Sequence, residues 1–253
     1  MTNPPPFTDI KAIVFDYGNT LIPFGRAQVD EFDRRLGEAV EARYGPLDRD
    51  RYNAHRDADR MRPYEGDPPA FRESDPVEMT ASLIRALCSV EPTQSELNEL
   101  LEVRRQAFVA VVEAEPALAP LLAALRNRFA IGLLSNYPDG VAIRQSMDKV
   151  RLAPFFDSVV VSGDLGLVKP HPDIFAASLG ELGVRAEEAL FVGDNWLADV
   201  QGAKRAGMRV VHFTRWTPPE HFERRPGDAQ PDATISKLEA LFPLLGLEKA
   251  ICA

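Results

Sequence analysis

From residue 117 onwards, apolar residues with helical spacing alternate with short apolar runs that are typical of buried strands. Such alternation predicts a parallel sheet, because each helix carries the chain back so that the next strand runs in the same direction. The predicted segments are helix 117–128, strand 129–134, helix 139–150, strand 157–162, helix 172–182, strand 189–193, helix 196–206 and strand 208–213. We therefore expect an α/β fold with a doubly wound parallel sheet and helices on both faces.

A further strand is predicted near the start of the chain, from Ala12 to Phe15, and it ends at an acidic residue, Asp16. The predicted strand 189–193 likewise ends directly before an acid, Asp194. Ligands of open α/β sheets bind outside the carboxyl ends of the strands, so both carboxylates can reach one site. Oxygen ligands at such a site suit Mg²⁺.

Four polar sets in a fixed order close or follow apolar runs. They are Asp16 in Phe-Asp-Tyr-Gly-Asn-Thr, the pair Ser135-Asn136, the pair Lys169-Pro170, and Gly193-Asp194 with Asp199 five residues further on. In residue type and order they resemble the signature motifs of the haloacid dehalogenase-like (HAD) hydrolase superfamily. One such motif alone is weakly specific, whereas four in order are a strong signal. The resemblance covers residues 10–23 and 116–245, which we expect to form the core.

The resemblance implies how the acidic residues and the lysine would act in phosphoryl transfer. Asp16 would be the nucleophile, and the aspartyl-phosphate that it forms would split one difficult step into two easier ones. Asp16, Asp194 and the main-chain carbonyl of Gly18 would hold Mg²⁺. Asp199 would order the metal site, and the Lys169 ammonium would neutralise the nucleophile and the phosphate together.

Three further residues, with Lys169, would bind the substrate. Ser135 and Asn136 would donate hydrogen bonds to the transferring phosphoryl oxygens, although outside this context such a pair is often only a turn. Thr20 would bind the phosphate or orient the nucleophile, and helix capping is an alternative role. The expected substrate is a small phosphorylated metabolite.

Residues 24–115 contain helical patterns and no convincing strand. Asp75-Pro76 with Glu78, and Thr93 with Glu96, are helix-start signals of the capping type. This block matches the all-helical cap domain that many HAD enzymes carry between their first and second motifs. Outside the core elements, we expect a frayed lead over 1–9, loops over 61–74 and 214–234, and a last helix over 235–245.

The composition restricts the partners and the compartment. The net charge is −9 and no basic run occurs, which argues against nucleic acid and anionic membranes as partners. Two widely separated cysteines, Cys88 and Cys252, fit a reducing compartment. The chain starts without a signal-peptide pattern and has no apolar run of membrane-spanning length. We therefore expect a cytoplasmic protein.

The chain departs from the resemblance at Gly18. Phosphatases of the superfamily usually have a second Asp two residues after the nucleophile, and it protonates the leaving alkoxide. General acid–base catalysis contributes roughly 10²–10⁴-fold, so three interpretations stay open. The substrate has a good leaving group, or a cap residue such as Glu65, Asp67 or His55 supplies the acid, or the protein binds a ligand with little or no turnover.

Other branches of the superfamily also lack that Asp. The phosphonatase branch uses a cap lysine as a Schiff base, but no lysine lies between Lys11 and Lys149. Metal-free 2-haloacid dehalogenases place a tyrosine at the Gly18 position, whereas here the aromatic residue is one place earlier, at Tyr17. The two acids of the last motif favour a metal, so a dehalogenase is the lesser alternative.

Overall fold

The computed structural model describes residues 7–217 and 224–247 of the chain. A six-stranded sheet forms its centre, with the strand order β3-β2-β1-β4-β5-β6 and parallel pairing throughout. The strands are β1 (Ala12–Phe15), β2 (Ala130–Ser135), β3 (Ser158–Val161), β4 (Ala189–Gly193), β5 (Arg209–Phe213) and β6 (Ala233–Ile235). The predicted α/β fold is confirmed.

The helices of the described residues are α1 (Arg26–Tyr44), α2 (Arg49–Met61), α3 (Pro76–Cys88), α4 (Gln94–Val111), α5 (Leu118–Arg126), α6 (Gly140–Lys149), α7 (Ser162–Leu165), α8 (Pro172–Leu182), α9 (Gly202–Arg205) and α10 (Leu241–Leu244). Helices that follow α4 cover both faces of the sheet. Successive strand residues point to opposite faces, and Ile13 and Phe15 pack in one apolar cluster with residues of α5, α6 and α10. Val14 packs in the other cluster, with residues of α8 and α9.

Helices α1 to α4 form an insertion between β1 and β2, and residues 24–115 contain no strand. The capping signals are confirmed. Asp75 accepts a hydrogen bond from the Val77 amide and Pro76 opens α3, while Thr93 and Glu96 form a capping box at the start of α4. The exact limits of a cap domain at 24 and 115 stay a prediction.

None of the described helices is both long enough and apolar enough to cross a membrane.

The predicted last helix over 235–245 is wrong. Ile235 ends strand β6, and only a 3-10 turn at Leu238–Ala240 and the short α10 follow it. The apolar residues over 235–245 belong partly to a strand and partly to two short helical turns. A short apolar run does not distinguish a strand from a helix. The predicted loop over 214–234 therefore ends in a strand, and residues 218–223 lie outside the described part of the chain.

Two other expectations need correction. The predicted helix 196–206 begins as a π-helical turn, Trp196–Gln201, before α9. The lead over 1–9 is not frayed throughout, because the Phe7 side chain is buried and its amide donates to the Leu244 carbonyl at 3.3 Å. Residues 1–6 lie outside the described part.

Candidate active site

Two acids come together at the carboxyl ends of adjacent strands. Asp16 follows β1 and Asp194 follows β4, and the Asp16 amide donates to the Val192 carbonyl at 2.9 Å. Asp199 joins them from the π-helical turn. One carboxylate oxygen from each of these three acids lies within 4.8 Å of the others, and all three side chains are buried.

Local geometry brings Asp199 against the end of β4. The Asn195 amide donates to Asp199 Oδ2 at 2.9 Å, and Asn195 Oδ1 accepts from the Ala198 amide at 2.9 Å. A Cβ atom at Gly193 would overlap the Asp199 carboxylate. The glycine before Asp194 therefore lets the third acid reach the cluster.

Lys169 supplies the positive charge of the site. Its Nζ lies 2.6 Å from Asp16 Oδ1 and 2.8 Å from Asp199 Oδ1, and it donates to the Leu134 carbonyl at 2.8 Å. The side chain is only 1% exposed. Burial alone would lower the lysine pKa, but the two carboxylates outweigh burial and raise it, so the ammonium stays charged.

The three carboxylates are not fully neutralised by one lysine. Burial raises the pKa of Asp16 to about 6, although the Lys169 ammonium opposes the rise. Burial, and then the negative charges of Asp16 and Asp199, raise the pKa of Asp194 to about 8. Clustered oxygen donors with excess negative charge are the donor set that a divalent cation such as Mg²⁺ requires, so the residues present fit a divalent metal ion.

Asn136 holds the main chain of Lys169. Its Oδ1 accepts from the Lys169 amide at 2.8 Å, and its Nδ2 donates to the Lys169 carbonyl at 3.0 Å. Nδ2 also donates to the Tyr64 hydroxyl at 3.0 Å. In this arrangement the Asn136 side chain is engaged by protein groups, which suits a positioning role better than the expected direct contact with phosphate.

Ser135 and Thr20 carry the two hydroxyl groups that the sequence assigns to the phosphate site. Ser135 ends β2, next to β1, and is buried. Its hydroxyl forms no hydrogen bond with any residue in the described ranges. Thr20 is fully buried, and its Oγ1 has no partner among the described residues. The phosphate-binding role of both hydroxyls stays a prediction, and so does the metal contact of the Gly18 carbonyl.

The comparison with known families decides the classification. The profile of haloacid dehalogenase-like hydrolases matches residues 10–207, well over half of the chain. The chain belongs to this hydrolase family. The helical insertion between β1 and β2 is the helical cap of the HAD fold.

Individual relatives include phosphatases. A glyceraldehyde 3-phosphate phosphatase from Methanopyrus kandleri is 28% identical over 240 residues, which cover 93% of this chain and 97% of that protein. A phosphoserine phosphatase from Thermus thermophilus is 38% identical over 148 residues, 58% of this chain, but the match spans only 55% of that protein. A 2-haloacid dehalogenase structure from Pseudomonas syringae pv. tomato has a TM-score of 0.71 at 24% identity, covering 94% and 98% of the two chains. That structural likeness shows the fold.

Gly18, where this HAD chain departs from the phosphatase motif, lies next to Phe24. A Cβ atom at Gly18 would lie 3.6 Å from the Cβ of Phe24, which is an ordinary contact. The Tyr17 side chain is buried, and its hydroxyl lies 2.9 Å from Ser146 Oγ. Because Tyr17 is engaged by α6, it does not replace the tyrosine that dehalogenases have at the next position.

The three cap candidates for the missing acid form no hydrogen bond or ion pair with the acidic cluster in the described part of the chain. His55 lies 3.5 Å from Asp59 within the cap. Glu65 lines a cap cavity of about 240 Å³ together with Arg62. Asp67 is exposed. The structure therefore gives none of them a hydrogen bond or ion pair with Asp16.

Two residues that contact the site were not predicted from the sequence. The Thr217 hydroxyl donates to Asp194 Oδ2, and the Tyr64 hydroxyl reaches the Lys169 carbonyl at 3.4 Å. Both residues lie in proline-containing segments without periodicity, so no pattern marks them. Their contacts depend on how distant segments pack.

Proposed function

We propose that this HAD hydrolase is a Mg²⁺-dependent phosphatase that hydrolyses a small phosphorylated metabolite. The observation that carries the proposal is the buried cluster in which Lys169 Nζ bridges Asp16 and Asp199 beside Asp194. The phosphatase names of the sequence relatives support the same substrate class.

In the proposed reaction, a carboxylate oxygen of Asp16 forms a bond to phosphorus while the bond from phosphorus to the leaving oxygen breaks. Water then attacks phosphorus, the bond to Asp16 breaks, and inorganic phosphate leaves. Lys169 binds Asp16 Oδ1 at 2.6 Å, so Oδ2 would make the attack. The Ser135 hydroxyl would donate to the phosphoryl oxygens as charge develops.

Asp16, Asp194 and the Gly18 carbonyl would hold Mg²⁺, with Asp199 ordering the site. When bound, the ion would neutralise the excess negative charge that otherwise opposes the approach of a phosphate. Lys169 and Asn136 act together in this scheme, because Asn136 fixes the main chain of the residue that carries the ammonium.

Gly18 determines which substrates this reaction can turn over. No acid stands at that position, and the described cap candidates make no contact with the cluster. We therefore propose that the leaving oxygen departs without protonation by a neighbouring carboxyl group, which favours aryl phosphates, acyl phosphates and anhydrides. These leaving groups are stable as anions.

A non-catalytic binding protein of the same fold is the second candidate, and Gly18 is the observation that favours it. Such a protein would bind a phosphorylated ligand without releasing phosphate. The dehalogenase alternative predicts halide release from 2-haloacids, which a halide electrode measures directly.

The test is a panel of phosphorylated metabolites and activated phosphates, assayed with Mg²⁺ and with chelator. We expect phosphate release that requires Mg²⁺ and falls by on the order of 10⁴-fold or more in Asp16→Asn. Asp148→Asn, which changes an exposed acid on α6, is the matched control and should behave as wild type. Turnover that ignores the chelator or survives Asp16→Asn would overturn the proposal, and ligand binding without turnover would favour the second candidate.

A further inference from the structure

One segment of the cap pairs directly with the core loop that leads into Lys169. This segment, residues 64–73, is called the strap. The Val168 amide donates to the Phe71 carbonyl at 2.9 Å, and the Glu73 amide donates to the Gly166 carbonyl at 3.1 Å. Residues 72 and 167 form an antiparallel bridge between these two hydrogen bonds. The strap thus makes a short antiparallel pairing that ends one residue before Lys169.

Side chains at both ends of the strap strengthen this pairing. At the far end, the Ser162 hydroxyl donates to Glu73 Oε2, which joins the strap to the residue that follows β3. At the near end, the rings of Tyr64 and Phe71 pack edge to face with 6.1 Å between their centroids. The strap is therefore held at both ends, and the Tyr64 ring packs on Phe71, which pairs with the lysine loop.

The Tyr64 hydroxyl completes the group of hydrogen bonds that fixes the main chain of Lys169. Asn136 binds both the amide and the carbonyl of Lys169. The Tyr64 hydroxyl accepts from Asn136 Nδ2 at 3.0 Å and lies 3.4 Å from the Lys169 carbonyl, to which it donates. A cap side chain thus contacts both Asn136 and Lys169. The hydrogen bonds among these three residues are called the clamp.

The clamp affects the site because a small displacement of Lys169 would lengthen the contacts of its ammonium group. Its Nζ makes contacts of 2.6 to 2.8 Å with Asp16, Asp199 and the Leu134 carbonyl. Such short contacts to a buried charge weaken sharply when the main chain that carries the side chain shifts.

We propose that Tyr64 is a positioning residue through which the cap fixes Lys169 against the nucleophile. Tyr64 itself makes no contact with Asp16, so it acts through Asn136 and Lys169. Its effect on turnover rests on the proposed phosphatase function, whereas its effect on the placement of Lys169 does not.

The experiment compares Tyr64→Phe with Tyr52→Phe. Each variant removes one tyrosine hydroxyl of the cap, and the Tyr52 hydroxyl donates to Asp33 at 3.3 Å, within the cap. For Tyr64→Phe we expect kcat to fall about 3- to 10-fold, the effect of one lost hydrogen bond, with KM within about twofold of wild type. Tyr52→Phe should leave both constants unchanged.

A second readout does not depend on activity. Each protein is treated with a small amine-modifying reagent, and peptide mass spectrometry compares the modification rate of Lys169 with that of the exposed Lys11. We expect Lys169 to react several-fold faster in Tyr64→Phe than in wild type or Tyr52→Phe, because its main chain is less firmly held.

These outcomes separate the proposals. If Lys169 reacts at the wild-type rate in Tyr64→Phe and kcat is unchanged, Tyr64 is not a positioning residue, even if its melting temperature falls. Equal changes in both variants would also overturn the inference, because they would reflect general loosening of the cap. If wild type turns over no phosphate compound, the proposed function fails, while the Lys169 rate still decides the role of Tyr64.

Discussion

Replacing Gly18 by aspartate tests whether the leaving group departs without a proton donor. The backbone accepts the change, because Gly18 is not among the residues with a left-handed backbone. The new Cβ would lie 3.6 Å from the Cβ of Phe24, which is an ordinary van der Waals contact. A general acid at this position is worth roughly 10²–10⁴-fold, or about 3–5 kcal/mol of barrier.

The assay is a series of alkyl and aryl phosphates whose leaving-group pKa values span a wide range. Without an acid, kcat/KM of wild type should fall steeply as the leaving-group pKa rises. In Gly18→Asp the slope should flatten, with alkyl phosphates accelerated at least ~10²-fold and aryl phosphates changed little.

Gly180→Asp is the matched control, because a Cβ at Gly180 on α8 meets nothing within 4 Å. This variant should keep the wild-type slope. Departure of the leaving group without a proton donor is refuted if wild type already hydrolyses alkyl phosphates as readily as aryl phosphates. It is also refuted if Gly18→Asp folds and binds Mg²⁺ but leaves the slope unchanged.

Three other predictions concern the charges of the site. Lys169→Met leaves two buried carboxylates without their ammonium partner, so in chelator it should lower the free energy of unfolding by about 3–5 kcal/mol, measured by denaturant titration. The folded-state pKa values of Asp16 and Asp194, about 6 and about 8, lie above the ordinary aspartate value of 3.8. The folded chain therefore binds more protons than the unfolded chain, and metal-free stability should fall as the pH rises from about 4 to about 8. Melting curves at pH 8 should show that Mg²⁺ at 100 times its Kd raises the free energy of unfolding by about 2.7 kcal/mol. A metal-free protein that becomes more stable from about pH 4 to about pH 8 would contradict the charge assignment. Thr217→Val removes the hydroxyl that donates to Asp194 and should weaken Mg²⁺ activation about 2- to 10-fold. Thr214→Val removes a hydroxyl that donates to the Ile235 carbonyl at 3.4 Å, and it should leave Mg²⁺ activation unchanged.

The core of the fold could be predicted from the sequence because its signals are local. Buried strands such as Ala12–Phe15 are apolar throughout, and the helices between strands show regular spacing. The acids Asp16 and Asp194 follow such strands directly, so their meeting at one sheet edge is a consequence of parallel topology. These features need no knowledge of distant contacts.

The remaining features depend on contacts between distant segments. Asn136 bonds the main chain of Lys169, 33 residues away, and Tyr64 reaches the same point from 105 residues away. Contacts between residues so far apart produce no periodic pattern in the sequence. The error at Ile235 has a different cause, since a three-residue strand at the sheet edge is too short to show alternation.

Phosphorylation of Asp16 during turnover is the step on which the proposed function depends most directly. The most direct measurement quenches the working enzyme with acid, reduces any acyl phosphate with borohydride and maps the peptides by mass spectrometry. We expect the carboxyl group of Asp16 to be reduced to an alcohol in a Mg²⁺-dependent manner, and we expect no such product in Asp16→Asn. Turnover with no reduced residue at position 16 under rapid quench, or with the product at another acid, would contradict it.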